Sequence, residues 1–271
     1  RLAERLALAK RENKQPFELA FYGGTFTQIP SYWRIKFLEL SCHYQQEGVI
    51  SSVRCSTRPD SCCGSELEKL AKLGLRTVEI GAQTFCSKVL TTCHRGYEPE
   101  VISKAKDAVR NAGLGLGIQL LPGLPGHSPD TWLRDVRQTC SLLPDFVRIY
   151  PCLVLKDTLL HNLYCRGLFI PWTLEQTVHA LARGVLRFWT SRIPVIRMGL
   201  HPEPSLLTAL IAGPWHSALG SLIRSRVVLA VIKMLALHLP RGPKAMLCPT
   251  SLQGDLWGYK GQNRSTLQNL G

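Results

Sequence analysis

Residues 21–26 read Phe-Tyr-Gly-Gly-Thr-Phe and close an apolar run that begins at Phe17. Two adjacent glycines and a hydroxyl at the end of a strand leave backbone amides and carbonyls bare, with no Cβ to bar a small molecule. In β/α folds that place is the C-terminal end of the sheet, where ligands bind. Gly23, Gly24 and Thr25 are therefore candidate binding residues. Further apolar runs end in polar or glycine-rich tips. Ser56-Thr57-Arg58-Pro59-Asp60 closes one, Gln83-Thr84 another, and Gln119 precedes Pro122-Gly123-Leu124-Pro125-Gly126. Tyr150-Pro151 with Lys156, and then His201, close two more. Six such tips in succession point to a site at one end of a sheet. Amides, hydroxyls and a guanidinium suit hydrogen bonding and charge pairing to a polar small molecule. The Gly-Gly-Thr turn lacks the lysine of a phosphate-binding P-loop and the third glycine of a dinucleotide fingerprint, which argues against an ordinary phosphate site.

The elements that position these tips follow from periodicity and punctuation. Strands are predicted near 17–22, 50–56, 77–82, 115–121, 146–150 and 194–200. Between them lie helices. One over 65–73 has Ser65 and Glu68 at capping-box spacing and stops at Gly74. Pro99 opens another, with Val101, Ile102, Ala105, Ala108, Val109 and Ala112 on one face up to Gly113. Ser128-Pro129 starts a third, with Trp132, Val136 and Cys140 inward. Thr173 with Gln176 caps a fourth, striped by Leu174, Val178, Leu181 and Val185. Strands alternating with helices predict an α/β fold of parallel β/α units, a partial or full barrel. The pattern weakens after about residue 203, so 1–203 reads as the barrel and 204–271 as a basic C-terminal extension, in part without fixed structure.

Bulk properties bound the class. A chain of 271 residues suffices for one large α/β domain or two small ones. The net charge of +14 favours a polyanionic partner such as RNA. No secretory signal is visible, and Arg224, Arg226 and Lys233 break the one long apolar run, around 218–239. The ten cysteines, Cys62-Cys63 and Cys86 to Cys93 included, form no metal-ligand spacing, so a reduced, cytoplasmic compartment is expected, with no membrane partner. Residues 221–271 hold seven cations (Arg224, Arg226, Lys233, Arg241, Lys244, Lys260 and Arg264) against the single acid Asp255. The basic turn Gly-Tyr-Lys-Gly-Gln-Asn-Arg at 258–264 reads either as a solvated tail or as a nucleic-acid contact.

Taken together, FYGGTFTQIP (21–30), STRPD (56–60), TVEIGAQTF (77–85), RGY (95–97), GIQLLPGLPG (117–126), PDFVRIYPCLVLKDT (144–158) and VIRMGL (195–200) resemble one family. It is the radical S-adenosylmethionine (SAM) enzymes of the Elongator catalytic subunit-like and oxygen-independent coproporphyrinogen oxidase-like group. The likeness runs from about residue 5 to about residue 226. AGPWH (212–216) and GYKGQNR (258–264) are similar to the short bacterial members without an acetyltransferase domain. The resemblance implies a partial (β/α)6 barrel, SAM and a 4Fe-4S cluster as cofactors, an electron donor, and reductive cleavage of SAM to start hydrogen abstraction. The implied substrate is a tRNA wobble uridine. Gly23, Gly24 and Thr25 match the motif that binds the methionine end of SAM. Gln83 and Arg95 match positions that contact SAM, the Arg95 guanidinium pairing with the SAM carboxylate. Ser56, Arg58 and Gln119 join that set, with Arg58 alternatively a structural partner of Asp60 and Gln119 alternatively a satisfied strand end. Tyr150, Lys156 and His201 are the substrate-side candidates.

The sequence departs from the family at one decisive point. It has no CxxxCxxC, the three-cysteine motif that ligates the cluster and leaves one iron open to SAM. The family carries that motif ahead of the glycine strand, where this sequence has residues 1–16, a helix end. The expectation is a barrel lacking its first strand and cluster loop, an N-terminally truncated chain that holds no metal by itself. A degenerate member, acting as a non-catalytic SAM- or RNA-binding barrel, is the alternative. Smaller departures are Cys86 and Cys93 in a loop that is usually polar, His201 in place of glutamine, and Ser221 and Arg224 in place of acids.

Overall fold

Each predicted apolar run forms a strand, because β-branched residues and alternating burial satisfy a pleated backbone held between two faces. The computed structural model describes residues 1–12, 15–239, 242 and 245–270. In chain order the elements are α1 (Leu2–Arg11), β1 (Phe17–Phe21), α2 (Ser31–Gln46), β2 (Ile50–Thr57), α3 (Gly64–Lys72), β3 (Thr77–Gln83), α4 (Ser87–Thr92), α5 (Glu100–Asn111), β4 (Gly115–Leu120), α6 (Pro129–Ser141), β5 (Phe146–Ile149), β6 (Val154–Leu155), α7 (Leu159–Cys165), α8 (Leu174–Thr190), β7 (Val195–Met198), α9 (Pro204–Ala209), β8 (Leu210–Ala212), α10 (Leu219–Ala236), α11 (Gln253–Trp257) and α12 (Arg264–Gln268). Six strands form one parallel half-barrel sheet in the order β1-β2-β3-β4-β5-β7, a partial β/α barrel. A separate antiparallel pair joins β6 to β8.

Register sorts the side chains into two faces. Ala20 pairs with Arg54, Ser56 with Glu79, and Glu79 with Gly117, so Glu18, Arg54, Ser56, Glu79 and Gln119 share one face by the two-residue alternation of strands. Val53, Cys55, Val78, Ile80, Leu116, Ile118 and Leu120 point the other way and are all 0% exposed. α2 packs on β2, and α5 on β3 and β4. One face of the sheet is thus ordinary core and the other is polar.

The chain divides into two compact units. The first comprises Arg1–Leu120 with Ser141–Val147, and the second Leu121–Cys140 with Arg148–Gly271. In the first, Leu67 and Leu70 of α3 and Ile102 and Val109 of α5 are buried beside the sheet residues. In the second, Trp132, Val178, Leu181, Val185 and Phe188 form the centre, and the Trp132 indole donates to the Ala180 carbonyl at 2.9 Å.

Helix starts test the cap readings. Thr173 and Gln176 make the full reciprocal box, each side chain accepting from the other's backbone N–H. The box expected at Ser65 and Glu68 is not made. α3 begins one residue earlier, at Gly64, with Cys63 in the cap position, so Ser65 lies inside the first turn. The apolar stretch VVLAVIKMLAL lies in α10 up to Ala236, with Leu237 as its C-cap, and α10 packs against α8 and α11. Among the described residues no helix is long and apolar enough to cross a membrane. Arg241 and Lys244 of the basic tail lie outside the described residues.

Candidate active site

In the first unit the candidates stand at the C-terminal ends of β1 to β4. β1 ends at Phe21, and Gly23 follows with φ +103°, a left-handed value that any side chain would strain. A Cβ on Gly23 or Gly24 meets no heavy atom within 4 Å, so open space faces the bare backbone. The Thr25 carbonyl accepts from Gln28 N–H at 2.9 Å and turns the chain into a single 3-10 turn, Phe26–Gln28. This open glycine edge leaves room for a small ligand to approach the backbone.

Gln83 ends β3 with φ +65°, in the left-handed region. The β3–β4 register slips between Ile80 and Gln83, so the strand kinks where Gln83 sits. That slip brings its Oε1 to accept from Gln119 Nε2 at 3.2 Å. Two neighbouring strand tips therefore present a linked pair of amides. Arg95 closes the same end from the loop after α4. Its Nη2 donates to the Gly81 carbonyl at 3.1 Å and its Nε to the Tyr97 hydroxyl at 3.2 Å. Burial pushes the Tyr97 phenol up, so it stays protonated and passes its own hydrogen to the Gly81 or Ala82 carbonyl, each 3.3 Å away. Arg95 is thus a half-buried cation anchored to the end of β3.

Arg58 forks onto Asp60, Nε to Oδ1 at 2.9 Å and Nη2 to Oδ2 at 2.6 Å, and Nη2 also reaches the Arg95 carbonyl at 2.6 Å. The bidentate bond holds the Asp60 carboxyl below its ordinary range. The pairing with Asp60 is therefore made, and it ties the β2 tip to the Arg95 loop. Ser56 stands on the polar face at the end of β2, half-buried.

That face also carries a residue missed in the sequence reading. Glu79 is 0% exposed and its Oε2 accepts from the Tyr22 hydroxyl at 3.3 Å. Beside it Arg54 Nη1 pairs with Glu18 Oε2 at 3.0 Å, its guanidinium lying 5.8 Å from the Tyr22 ring centre and 5.6 Å from that of Phe146. A carboxylate between Val78 and Ile80 in an otherwise apolar strand was the available signal.

In the second unit, Tyr150 follows β5 and its hydroxyl accepts from Arg148 Nη1 at 3.0 Å. Lys156 has an exposed side chain, and its amide N–H donates to the Ala209 carbonyl at 2.7 Å. His201 is exposed ahead of α9. The Pro122–Gly126 loop is held from within by a histidine that the sequence reading did not single out. The Gly123 N–H donates to His127 Nδ1 at 3.0 Å, which leaves the ring proton on Nε2 to donate to Asp135 Oδ2 at 2.9 Å. Both side chains are essentially buried, and the imidazole stacks on Trp172 at 5.7 Å and 2°.

Among the described residues no three His, Cys, Asp or Glu side chains are grouped to hold a metal ion. With no CxxxCxxC in the sequence, these residues do not supply the three thiolates of a 4Fe-4S cluster. The glycine edge and the Gln83–Gln119 pair do fit a small polar ligand.

The family model of the radical SAM superfamily matches residues 1–138, and that of the radical SAM C-terminal domain matches 144–228. The tRNA uridine(34) acetyltransferase of Methanocaldococcus jannaschii is 34% identical over 231 residues, 76% of this chain and 41% of that protein. Its counterpart in Methanocaldococcus infernus is 35% identical over 174 residues, 62% of this chain and 31% of that protein. The chain thus spans less than half the length of these relatives. Among solved structures, the archaeal Methanocaldococcus infernus Elp3 with an N-terminal deletion superposes with TM-score 0.70 at 24% identity, covering 84% of this chain and 58% of that one. The radical SAM enzyme coproporphyrinogen III oxidase of Escherichia coli gives TM-score 0.50 at 17% identity, over 70% and 46% of the two chains. These two likenesses concern the fold.

Proposed function

Because this chain belongs to the radical SAM superfamily, a family that uses SAM with a 4Fe-4S cluster, we propose that its half-barrel is the SAM-binding part of a radical SAM enzyme acting on tRNA. Gly23, Gly24 and Thr25 receive the methionine end: bare carbonyls accept from its ammonium, and the missing Cβ atoms make room. Arg95 pairs with its carboxylate. Ser56, Gln83 and Gln119 hydrogen-bond the remaining polar edge, and Arg58 steadies the Arg95 loop through its carbonyl. Tyr150, Lys156 and His201 serve the substrate side. The observation that carries the reading is the junction of Gln83, Gln119 and Arg95 at the adjoining ends of β3 and β4.

These residues do not ligate a cluster. What they do is bind and orient. On the same face Arg54 is paired with Glu18, and buried Glu79 accepts from the Tyr22 hydroxyl. The net charge of +14 and the tRNA-modifying relatives support a tRNA partner, with an electron donor and a cytoplasmic setting following from the same reading. Residues 1–203 then form the SAM barrel, and 204–271 a basic extension contributing RNA contacts.

Equilibrium dialysis against SAM, with ATP as competitor, tests the reading. We expect saturable SAM binding that Arg95→Ala weakens by about 1.5–3 kcal/mol, the cost of a hydrogen bond to a charged group. Tighter binding of ATP than of SAM, or unchanged SAM affinity in Arg95→Ala, overturns it.

A further inference from the structure

The basic tail contains a turn built more firmly than a solvated tail requires. Between α11 and α12 the chain reverses through Gly258, φ +75°, where a Cβ would meet Ser225 Oγ and Gln262 Cγ at 2.8 Å. Asn263, 4% exposed, locks the reversal by donating to Ser225 Oγ at 2.9 Å and to the Leu256 carbonyl at 3.0 Å. What this frame presents is outward-facing. Trp257 and Tyr259 are 46% and 37% exposed. Arg264 lies 5.6 Å from the Trp257 ring centre, and Lys260, at φ +53°, lies 5.4 Å from that of Tyr259. His216 meets the Tyr259 ring edge-on at 5.2 Å.

The charge around the turn is one-sided. Asp255, the only acid after residue 220, is 7% exposed and paired with Arg224 at 2.9 Å. Arg226 is engaged with Glu175 at 2.9 Å. Lys260 and Arg264 thus stand beside two exposed rings, and the segment's one carboxylate is already neutralised. Exposed rings with flanking cations match a strand whose bases stack and whose backbone is anionic. An acidic protein would use the cations and leave the rings idle.

We propose that the turn from Trp257 to Arg264 is a contact surface for single-stranded RNA. Bases stack on Trp257 and Tyr259, and phosphates pair with Lys260 and Arg264. The proposal rests on the RNA reading above and assigns it a place. The test uses the whole chain, a fluorescent 12-residue oligouridylate and polyglutamate as a polyanion without bases, titrated over a range of salt. We expect Lys260→Gln/Arg264→Gln to flatten the slope of log K against log[salt] by about 1.4, two phosphate contacts' worth on a single strand. We expect Trp257→Leu/Tyr259→Leu to weaken oligouridylate roughly tenfold with the slope unchanged. Thermal melts check that each variant is folded, and the charge variant, altered only at exposed positions, carries the test if the aromatic one is not. If the parent chain binds no oligouridylate at low salt, the RNA reading itself fails and takes this surface with it. If it binds and the charge variant keeps the full slope, the RNA reading survives and this surface is wrong. Polyglutamate bound as tightly as oligouridylate, with no loss in the aromatic variant, likewise overturns the proposal.

Discussion

Gln83 offers the sharpest separation of structure from binding. A non-glycine residue at φ +65° costs about 1–2 kcal/mol in backbone strain. Gln83→Gly removes that strain, but adds about 0.5–1 kcal/mol of entropy to be lost on folding. It also deletes the 3.2 Å bond from Gln119, worth about 0.5–1.5 kcal/mol net. The three contributions nearly cancel, so urea unfolding should place Gln83→Gly within about 1 kcal/mol of the parent. SAM affinity, by contrast, should fall about tenfold, because the amide at the β3 tip is gone and Gln119 loses its orienting partner. Gln83→Val retains the left-handed backbone and adds β-branching, so it should lose about 2 kcal/mol of stability as well as affinity. A stability loss above about 2 kcal/mol in Gln83→Gly, or unchanged SAM affinity, would refute the idea that strain at this tip is kept for a ligand.

Three other outcomes follow from the geometry. Gly24→Val should leave the melting temperature nearly unchanged, since a Cβ there meets nothing within 4 Å, while SAM binding drops below detection in dialysis; retained binding would move the ligand elsewhere. Gly184→Ala should lower the melting temperature by several degrees. Its Cβ would lie 2.6 Å from Trp132 Cζ2, and overpacking of about 1–3 kcal/mol plus a weakened indole bond outweighs the roughly 1 kcal/mol gained in helix propensity; an unchanged or higher melting point contradicts that balance. The two adjacent thiols should alkylate unequally. Burial pushes Cys62 up to about 12, whereas a hydrogen bond from Ser65 holds exposed Cys63 below its ordinary value, so iodoacetamide at pH 8 should mark Cys63 first; peptide mass mapping that finds Cys62 first would show the pair is arranged differently.

All six sheet strands were legible because each joins an apolar run to a glycine or polar stop, as FELAFYGGT and GIQLLPG do. The polar tips were legible for the same reason. Long-range pairing left less trace. β6 and β8 are two and three residues long and pair across more than fifty positions, too short for periodicity to register. The Ser65 cap was misplaced because a cysteine took the cap position with no side-chain bond to announce it. Glu79 lies inside TVEIGAQTF (77–85), but only register shows that it shares a face with Ser56 and Arg54. α10 has no clear polar stripe, so VVLAVIKMLAL did not disclose which face α8 would cover.

The buried imidazole of His127 has a consequence for reactivity. Nδ1 accepts a hydrogen bond from the Gly123 N–H and the Nε2–H donates one to Asp135, so no lone pair is open to bind a transition metal or to attack an acylating reagent. A histidine beside a glycine-proline loop would ordinarily invite trial as a ligand or a base. Here it is chemically silent: diethyl pyrocarbonate should pass it by while exposed His201 reacts, and its ring hydrogen should outlast those of surface histidines in deuterated solvent.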